Sequence, residues 1–251
     1  MRFCSLGSGS KGNATLVQSD EALVMIDCGF PLKVTLPRLA DMGVSPEQID
    51  AILVTHEHGD HIGGVSRLAR KFDIPVYLTQ GTYRSKKVDE KTKVTFIQPD
   101  MPLHIKDMLI HPVTVPHDAR EPCQFVIEKA DRSLGVLTDL GSLSPHVQRA
   151  FSDCDALVLE ANHDVDMLMN GPYPPSLRAR VAGNWGHLSN QQAFDFLQGA
   201  GVKLPSTLVL GHISMQNNSE DKVKSVFSSI ESQVPKMHYA TQDEGYDWLD
   251  V

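Results

Sequence analysis

Short apolar runs separated by turn-forming residues recur along the whole chain. Residues 2–6, 14–18 and 22–26 have the pattern of strands, parted by Gly, Ser and Asn turns. Leu32, Leu36, Leu39 and Met42 stand at helical spacing and predict a helix over 32–42, with Pro37 as a kink or restart. Residues 51–54 form a short apolar strand ending at Thr55-His56; a helix beginning near Ile62 and a strand over 75–78 follow. The middle is rich in strand patterns, at 94–97, 109–115, 123–128 and 133–137. Two further apolar runs, 156–160 and 207–210, each end in polar residues, while Ser caps open helices predicted over 189–197 and 219–230. One or two short strands are expected in the tail.

Strands and helices therefore alternate throughout, and no linker, repeat or low-complexity tract divides the chain. The expectation is one mixed α/β domain spanning 1–251. A chain of 251 residues can bury a core large enough to fold without disulfide or metal. The 41% hydrophobic and 22% charged composition excludes disordered, collagenous and coiled-coil classes. No apolar run approaches the roughly 18 residues of a membrane helix, and the N-terminus has no secretory h-region. Cys4, Cys28, Cys123 and Cys154 lack CxxC spacing and sit in apolar runs, as reduced core thiols of a cytoplasmic protein would. The formal net charge of -8 speaks against a broad nonspecific nucleic-acid surface, although it leaves room for a local basic groove. The 11 histidines are more than a plain globular chain needs.

The densest chemistry is Thr55-His56-Glu57-His58-Gly59-Asp60-His61, directly after an apolar strand. A loop leaving a buried strand can aim His56 and His58 at one ion, and Asp60 and His61 at a second beside it. Imidazole with carboxylate suits zinc, manganese or iron better than calcium. Further ligands must come from downstream strand ends, and three residues stand there: His117 after 109–115, Asp139 after 133–137 and His212 after 207–210.

This order of residues, HxHxDH and then His, Asp and His, resembles the metallo-β-lactamase-fold hydrolases. The resemblance implies an αββα sandwich of two mixed sheets flanked by helices. It also implies two divalent ions, one held by His56, His58 and His117, the other by Asp60, His61 and His212, with Asp139 bridging. Asp27, in Ile26-Asp27-Cys28-Gly29, resembles the acidic residue that orients a metal-binding loop in this family.

The fold serves several reactions, so a second constellation matters. Glu160 ends one strand, and His187 lies in Gly186-His187-Leu188-Ser189-Asn190 before a helix. The pair is similar to the phosphodiesterase branch typified by the transfer-RNA 3′-processing nucleases, where a Glu positions a His that protonates the leaving alkoxide. A sugar oxygen leaves poorly, which explains the need for such an acid. The implied catalytic set is His187, Glu160 and Asp60. The stretches 160–164, 171–174 and 186–190, with Arg178, Arg180 and the opening Leu6-Gly7-Ser8-Gly9-Ser10-Lys11-Gly12-Asn13, are similar to the bacterial YycJ/WalJ (VicX) subgroup. That likeness implies a stand-alone 5′-to-3′ DNA exonuclease with zinc or manganese, iron being a further option. DNA is then the expected partner ahead of RNA, with no membrane and no obligate protein partner. A metallohydrolase of small thioesters, lactones or cyclic phosphates is the alternative. Substrate contacts are expected from Ser189, Asn190, Arg178, Arg180, Asn217 and His163. The basic run Tyr83-Arg84-Ser85-Lys86-Lys87, with Lys91 and Lys93, reads as an exposed helix and loop, and 7–12 as a tight turn rather than a phosphate loop.

Overall fold

The computed structural model describes residues 1–243 and 245–251. Strands β1 (Arg2–Gly7), β2 (Ala14–Gln18), β3 (Leu23–Ile26), β4 (Ala51–Leu53), β5 (Val76–Leu78) and β6 (Val94–Phe96) come first. Then follow β7 (Leu103–Ile105), β8 (Met108–Thr114), β9 (Cys123–Lys129), β10 (Arg132–Leu137), β11 (Ala156–Glu160), β12 (Thr207–Gly211), β13 (Lys236–Tyr239) and β14 (Tyr246–Asp250). Helices α1 (Leu32–Asp41), α2 (Gly59–Ile62), α3 (Val65–Phe72) and α4 (Gln80–Tyr83) interrupt the first set. The second set carries α5 (Pro145–Phe151), α6 (Val165–Asn170), α7 (Pro175–Val181), α8 (Asn190–Leu197) and α9 (Glu220–Phe227).

Among the described residues the strands form two seven-stranded sheets, ordered β14-β1-β2-β3-β4-β5-β6 and β13-β12-β11-β10-β9-β8-β7. Side-chain alternation explains why both faces of each sheet are apolar. Phe3, Val17, Val24, Ile26 and Leu53 point inward against Ile110, Phe125, Ile127, Val136, Val158 and Val209, forming the core between the sheets. Their neighbours Cys4, Leu16, Met25 and Ile52 point outward to Leu39, Val65 and Leu68 of α1 and α3. On the other side Leu157, Leu159, Leu208 and Leu210 meet Val147, Phe196 and Phe227 of α5, α8 and α9. Helix, sheet, sheet and helix stack as expected for the αββα sandwich.

Strand direction then positions the site. β3, β4, β5 and β6 run parallel. In the second sheet β10, β11, β12 and β13 run parallel, and β8 shares their direction because both it and β10 oppose β9. Strand C-termini of both sheets thus gather at one edge, where the chain breaks into loops.

Several elements differ from expectation. The helix expected from near Ile62 starts at Val65 as α3, preceded by the separate turn α2; between them Gly64 must be glycine, because a side chain there would lie 2.0 Å from the Phe30 carbonyl oxygen. The helix expected over 219–230 stops at Phe227; Ile230 keeps the apolar spacing from the following turn, buried against Phe227 and Val234. Strand β7 and helices α4, α5, α6 and α7 carry too little periodicity to be read from sequence. A single cap defines α5 and α6: Ser144 accepts the Val147 N–H and Asp164 the Met167 N–H. All four cysteines are free and buried; burial pushes the thiols of Cys4, Cys28 and Cys154 up to about 12. Among the described residues no helix is long and apolar enough to cross a membrane.

Candidate metal centre and catalytic dyad

The loop from Thr55 to His61 is held by one carboxylate. Asp27 leaves β3 at φ 60, a left-handed conformation that a side chain adopts at a cost of about 1 kcal/mol or more. There its Oδ1 accepts the Thr55 N–H (2.9 Å), while Oδ2 accepts the Thr55 hydroxyl (2.7 Å) and His61 Nδ1–H (2.7 Å). The Thr55 hydroxyl, its proton committed to Asp27, accepts His56 Nδ1–H at 2.9 Å. In its neutral form each ring therefore presents Nε2 as a bare lone pair. His117 reaches the same tautomer differently, donating Nδ1–H to the Gly186 carbonyl at 3.1 Å, and its Nε2 lies 3.2 Å from His58 Nδ1.

The second sheet supplies the rest from consecutive parallel strands. Asp139 follows β10 and His212 follows β12, again in left-handed conformations with φ 52 and 53. Glu160, at the end of β11, is fully buried. Its Oε1 accepts Nδ1–H from both His212 (2.9 Å) and His187 (2.8 Å), and its Oε2 accepts the N–H groups of Leu188 (3.0 Å) and Leu140 (3.3 Å). Four donors saturate this carboxylate, so it holds other groups in place and is not itself free to bind an ion.

Charges sort accordingly. Burial lowers the pKa of His56 well below the ordinary histidine value, and His117 likewise. Burial acts on His61 and His212 too, but the carboxylates of Asp139 and Asp27, and of Asp139 and Glu160, overcome it and raise both. Against burial, His187 and His212 bring Glu160 down to about 2. Against burial, Glu160 and Asp139 lift His187 to about 9.

Donor atoms converge in overlapping groups: His56, His58 and His117; His56, His61 and Asp139; Asp60, His61 and His212, all within 4.8 Å inside each group. His56 Nε2 is buried without a hydrogen-bond partner, and buried Asp139 Oδ2 faces His61 Nε2 at 3.1 Å. Buried polar atoms left without partners are costly unless a ligand satisfies them. Bare imidazole nitrogens beside ionised carboxylates are the donor set of a divalent transition-metal ion, so these residues fit such an ion.

A cleft of about 380 Å³ opens over this centre, lined by His58, Asp60, Asp139, His187 and His212 on its floor. Of the residues expected to touch substrate, Arg180 and Asn217 line the cleft. Arg180 is held by Asp118, while the buried Oδ1 of Asn217 has no hydrogen-bond partner. Ser189, Asn190, Arg178 and His163 lie outside the lining. The Ser189 hydroxyl caps α8 by accepting the Gln192 N–H, Asn190 and Asn218 exchange side-chain amide hydrogen bonds, and Arg178 donates to the Met169 carbonyl. His163 is buried, and its backbone carbonyl accepts the Asn190 N–H.

Further residues brace the ligands, in stretches that carried the family likeness but had been given no role. The Ser8 hydroxyl accepts the His212 N–H (2.9 Å), Asn13 Nδ2 donates to His61 Nε2 (3.0 Å) and Asn162 donates to the His212 carbonyl (2.9 Å). The glycine-rich turn between β1 and β2 thus braces the centre. Its only available signal was the run of small residues itself. Lys87, within the basic run, donates to the Glu57 carbonyl at 2.8 Å and so sits beside the ligand loop.

The Beta-lactamase superfamily domain model matches residues 23–213. The chain is 32% identical to the exodeoxyribonuclease YycJ of Bacillus anthracis, over 92% of this chain and 89% of that protein. It is 33% identical to the exodeoxyribonuclease WalJ of Streptococcus pneumoniae, over 88% of this chain and 84% of that one. Among solved structures, the metallo-beta-lactamase fold protein YhfI of Bacillus subtilis superposes with a TM-score of 0.75 at 19% identity, covering 98% of this chain and 99% of its own. The chain is a metal-dependent hydrolase and belongs to the metallo-β-lactamase superfamily, in the branch that contains YycJ and WalJ.

Proposed function

We propose that the chain is a dinuclear phosphodiesterase that degrades DNA from the 5′ end, with zinc or manganese as its metal. The support is the sequence likeness to the YycJ and WalJ exodeoxyribonucleases together with one structural observation, the shared Glu160 carboxylate that fixes His212 and His187 side by side. His56, His58 and His117 would hold one ion, Asp60, His61 and His212 the other, and Asp139 both. Ions bound there supply Lewis acidity toward the phosphoryl oxygens and a water acidic enough to attack near neutral pH.

The protein's own groups do the rest. Asp60 lines the cleft, and its carboxylate would serve as the proton acceptor there. His187, whose Nδ1–H is committed to Glu160, keeps Nε2 for the substrate. The Glu160 and Asp139 carboxylates favour the protonated ring, from which Nε2 can deliver a proton to the departing sugar oxygen. Arg180 and Asn217 offer donors to the phosphate from the cleft wall. The chain works as one unit spanning 1–251, binding substrate with loops of the sandwich itself.

The test is a panel of end-labelled DNA, RNA, a chromogenic phosphodiester and a thioester, run with zinc and manganese separately. Release of mononucleotides from the 5′ end of DNA is the expected result. Turnover of the thioester with none of DNA would replace this reading by a small-molecule hydrolase.

A further inference from the structure

Among the described residues six large apolar side chains are at least half exposed: Phe96, Met101, Val165, Met169, Trp185 and Met215. Four of them lie on the three segments that wall the cleft. Val165 and Met169 fall between the lining residues Asn162 and Tyr173, Met215 between Ser214 and Asn217, and Trp185 next to Gly186 and His187. Exposed apolar surface concentrated around a polar, metal-binding floor marks a place where something docks.

Trp185 stands out among these. Tryptophan is highly buried on average, yet this one is 62% exposed. The contrast with Trp248 is instructive: that indole donates to the Met42 carbonyl at 3.0 Å, lies under the Arg2 guanidinium and packs on the core. Trp185 belongs to none of the core clusters and stands beside the cleft lining, next to Gly186 and His187, rather than within it. Its backbone, however, is tightly fixed. Asp118, which follows the ligand His117, donates its N–H to the Trp185 carbonyl at 3.0 Å, Gly186 N–H reaches the Gly183 carbonyl at 2.8 Å, and His187 N–H reaches the Val181 carbonyl at 2.9 Å. A side chain at Gly186 would lie 2.2 Å from the carbonyl oxygens of Arg180 and Val181, and one at Gly141 would lie 2.4 Å from the Trp185 nitrogen. The fold thus fixes the backbone beneath a large aromatic face two residues from the proton donor and one from the carbonyl that anchors His117.

We propose that Trp185 is a stacking platform for a base of the single-stranded nucleic-acid end held over the metal centre. The proposal rests on the phosphodiesterase reading and adds the element that engages the base, where Arg180 and Asn217 reach only the phosphate. Stacking suits an exonuclease because every base has a π-face, so successive nucleotides are held regardless of sequence. A platform ordered before binding also avoids the entropy cost of ordering it.

The experiment measures binding and cleavage separately. Trp185 is read by its fluorescence in a Trp248→Phe background, with the metal-loaded enzyme and a 5′-phosphorylated, phosphorothioate-linked oligothymidine that resists turnover. An abasic counterpart of equal length serves as the control. Quenching by the oligothymidine is expected, and the anisotropy of a dye-labelled strand, which reads every variant, should show roughly tenfold or greater loss of affinity in Trp185→Ala. Trp185→Phe should retain most of the affinity, and the abasic strand should bind wild type as weakly as oligothymidine binds Trp185→Ala. On cleavable DNA the alanine variant should show a raised KM with little change in kcat and unchanged metal content. If Trp185→Ala binds and digests DNA like wild type, the platform is wrong while the phosphodiesterase reading stands. If wild type digests no DNA and its fluorescence does not respond, both fall. If the substitution instead dissociates a dimer and leaves oligonucleotide affinity unchanged, the face is a self-association surface and the proposal is overturned.

Discussion

The two halves of the metal centre use the same ring but brace it with different chemistry. His56 and His117 donate Nδ1–H to neutral acceptors, the Thr55 hydroxyl and the Gly186 carbonyl. His61 and His212 donate theirs to carboxylates, Asp27 and Glu160. The electrostatic consequence follows: burial lowers the first pair, and the carboxylates raise the second against the same burial. A carboxylate behind an imidazole makes it a more basic ligand. The second half is therefore the more strongly donating and the more exposed to proton competition. Glu160 links that half to the proposed proton donor, because the atom that fixes His212 also fixes His187.

The largest effect tests what the halves share. Asp139→Asn should abolish turnover and lower bound metal measured by elemental analysis, since Asp139 donor atoms converge with both halves. Next comes the dyad. His187→Ala should keep its metal but lose about 10²- to 10⁴-fold in kcat on DNA. Its pH profile sharpens the assignment. His187 is lifted to about 9 in the metal-free site by Glu160 and Asp139 against burial, so wild-type turnover should fall as pH rises and the proton leaves. Neighbouring divalent charge disfavours the imidazolium, which sets that alkaline limb at or below about pH 9, and the limb should vanish in His187→Ala.

The comparison itself is broken or sustained by the braces. Asp27→Asn should weaken metal affinity by roughly 10- to 100-fold. Thr55→Val, which removes a neutral partner from His56, should cost less, as measured by competition with a chelator. Equal losses in the two variants would erase the distinction between the halves. The smallest effect concerns Ser189, whose hydroxyl caps α8. Ser189→Ala should lower unfolding stability by about 1 kcal/mol and leave kcat on DNA unchanged.

Where residues act at the end of an apolar strand, the sequence reading and the structure meet. His56, His117, Asp139, Glu160 and His212 each follow such a run, and parallel strands deliver them to one edge. Braces were harder to see, because they depend on contacts between distant segments. Ser8 reaches His212 and Asn13 reaches His61, pairs that no local pattern connects. Ser189 and Asn190 show the opposite failing. Their position beside His187 suggested substrate contact; the Ser189 hydroxyl makes the helix cap that the sequence also predicted, and the Asn190 side chain is committed to a buried amide pair with Asn218. Helix α7, which lines the cleft, and α6 before it were illegible for a third reason: at 7 and 6 residues they are too short for periodicity to show.

Leaving-group dependence bears most directly on the central claim that His187, set by Glu160, protonates the departing oxygen. The measurement is the ratio of wild-type to His187→Ala turnover on DNA and on a p-nitrophenyl phosphodiester, whose leaving group needs no proton. A ratio of about 10² or more on DNA, falling close to unity on the p-nitrophenyl ester, is the predicted result. Equal loss on both substrates at unchanged metal content would contradict it.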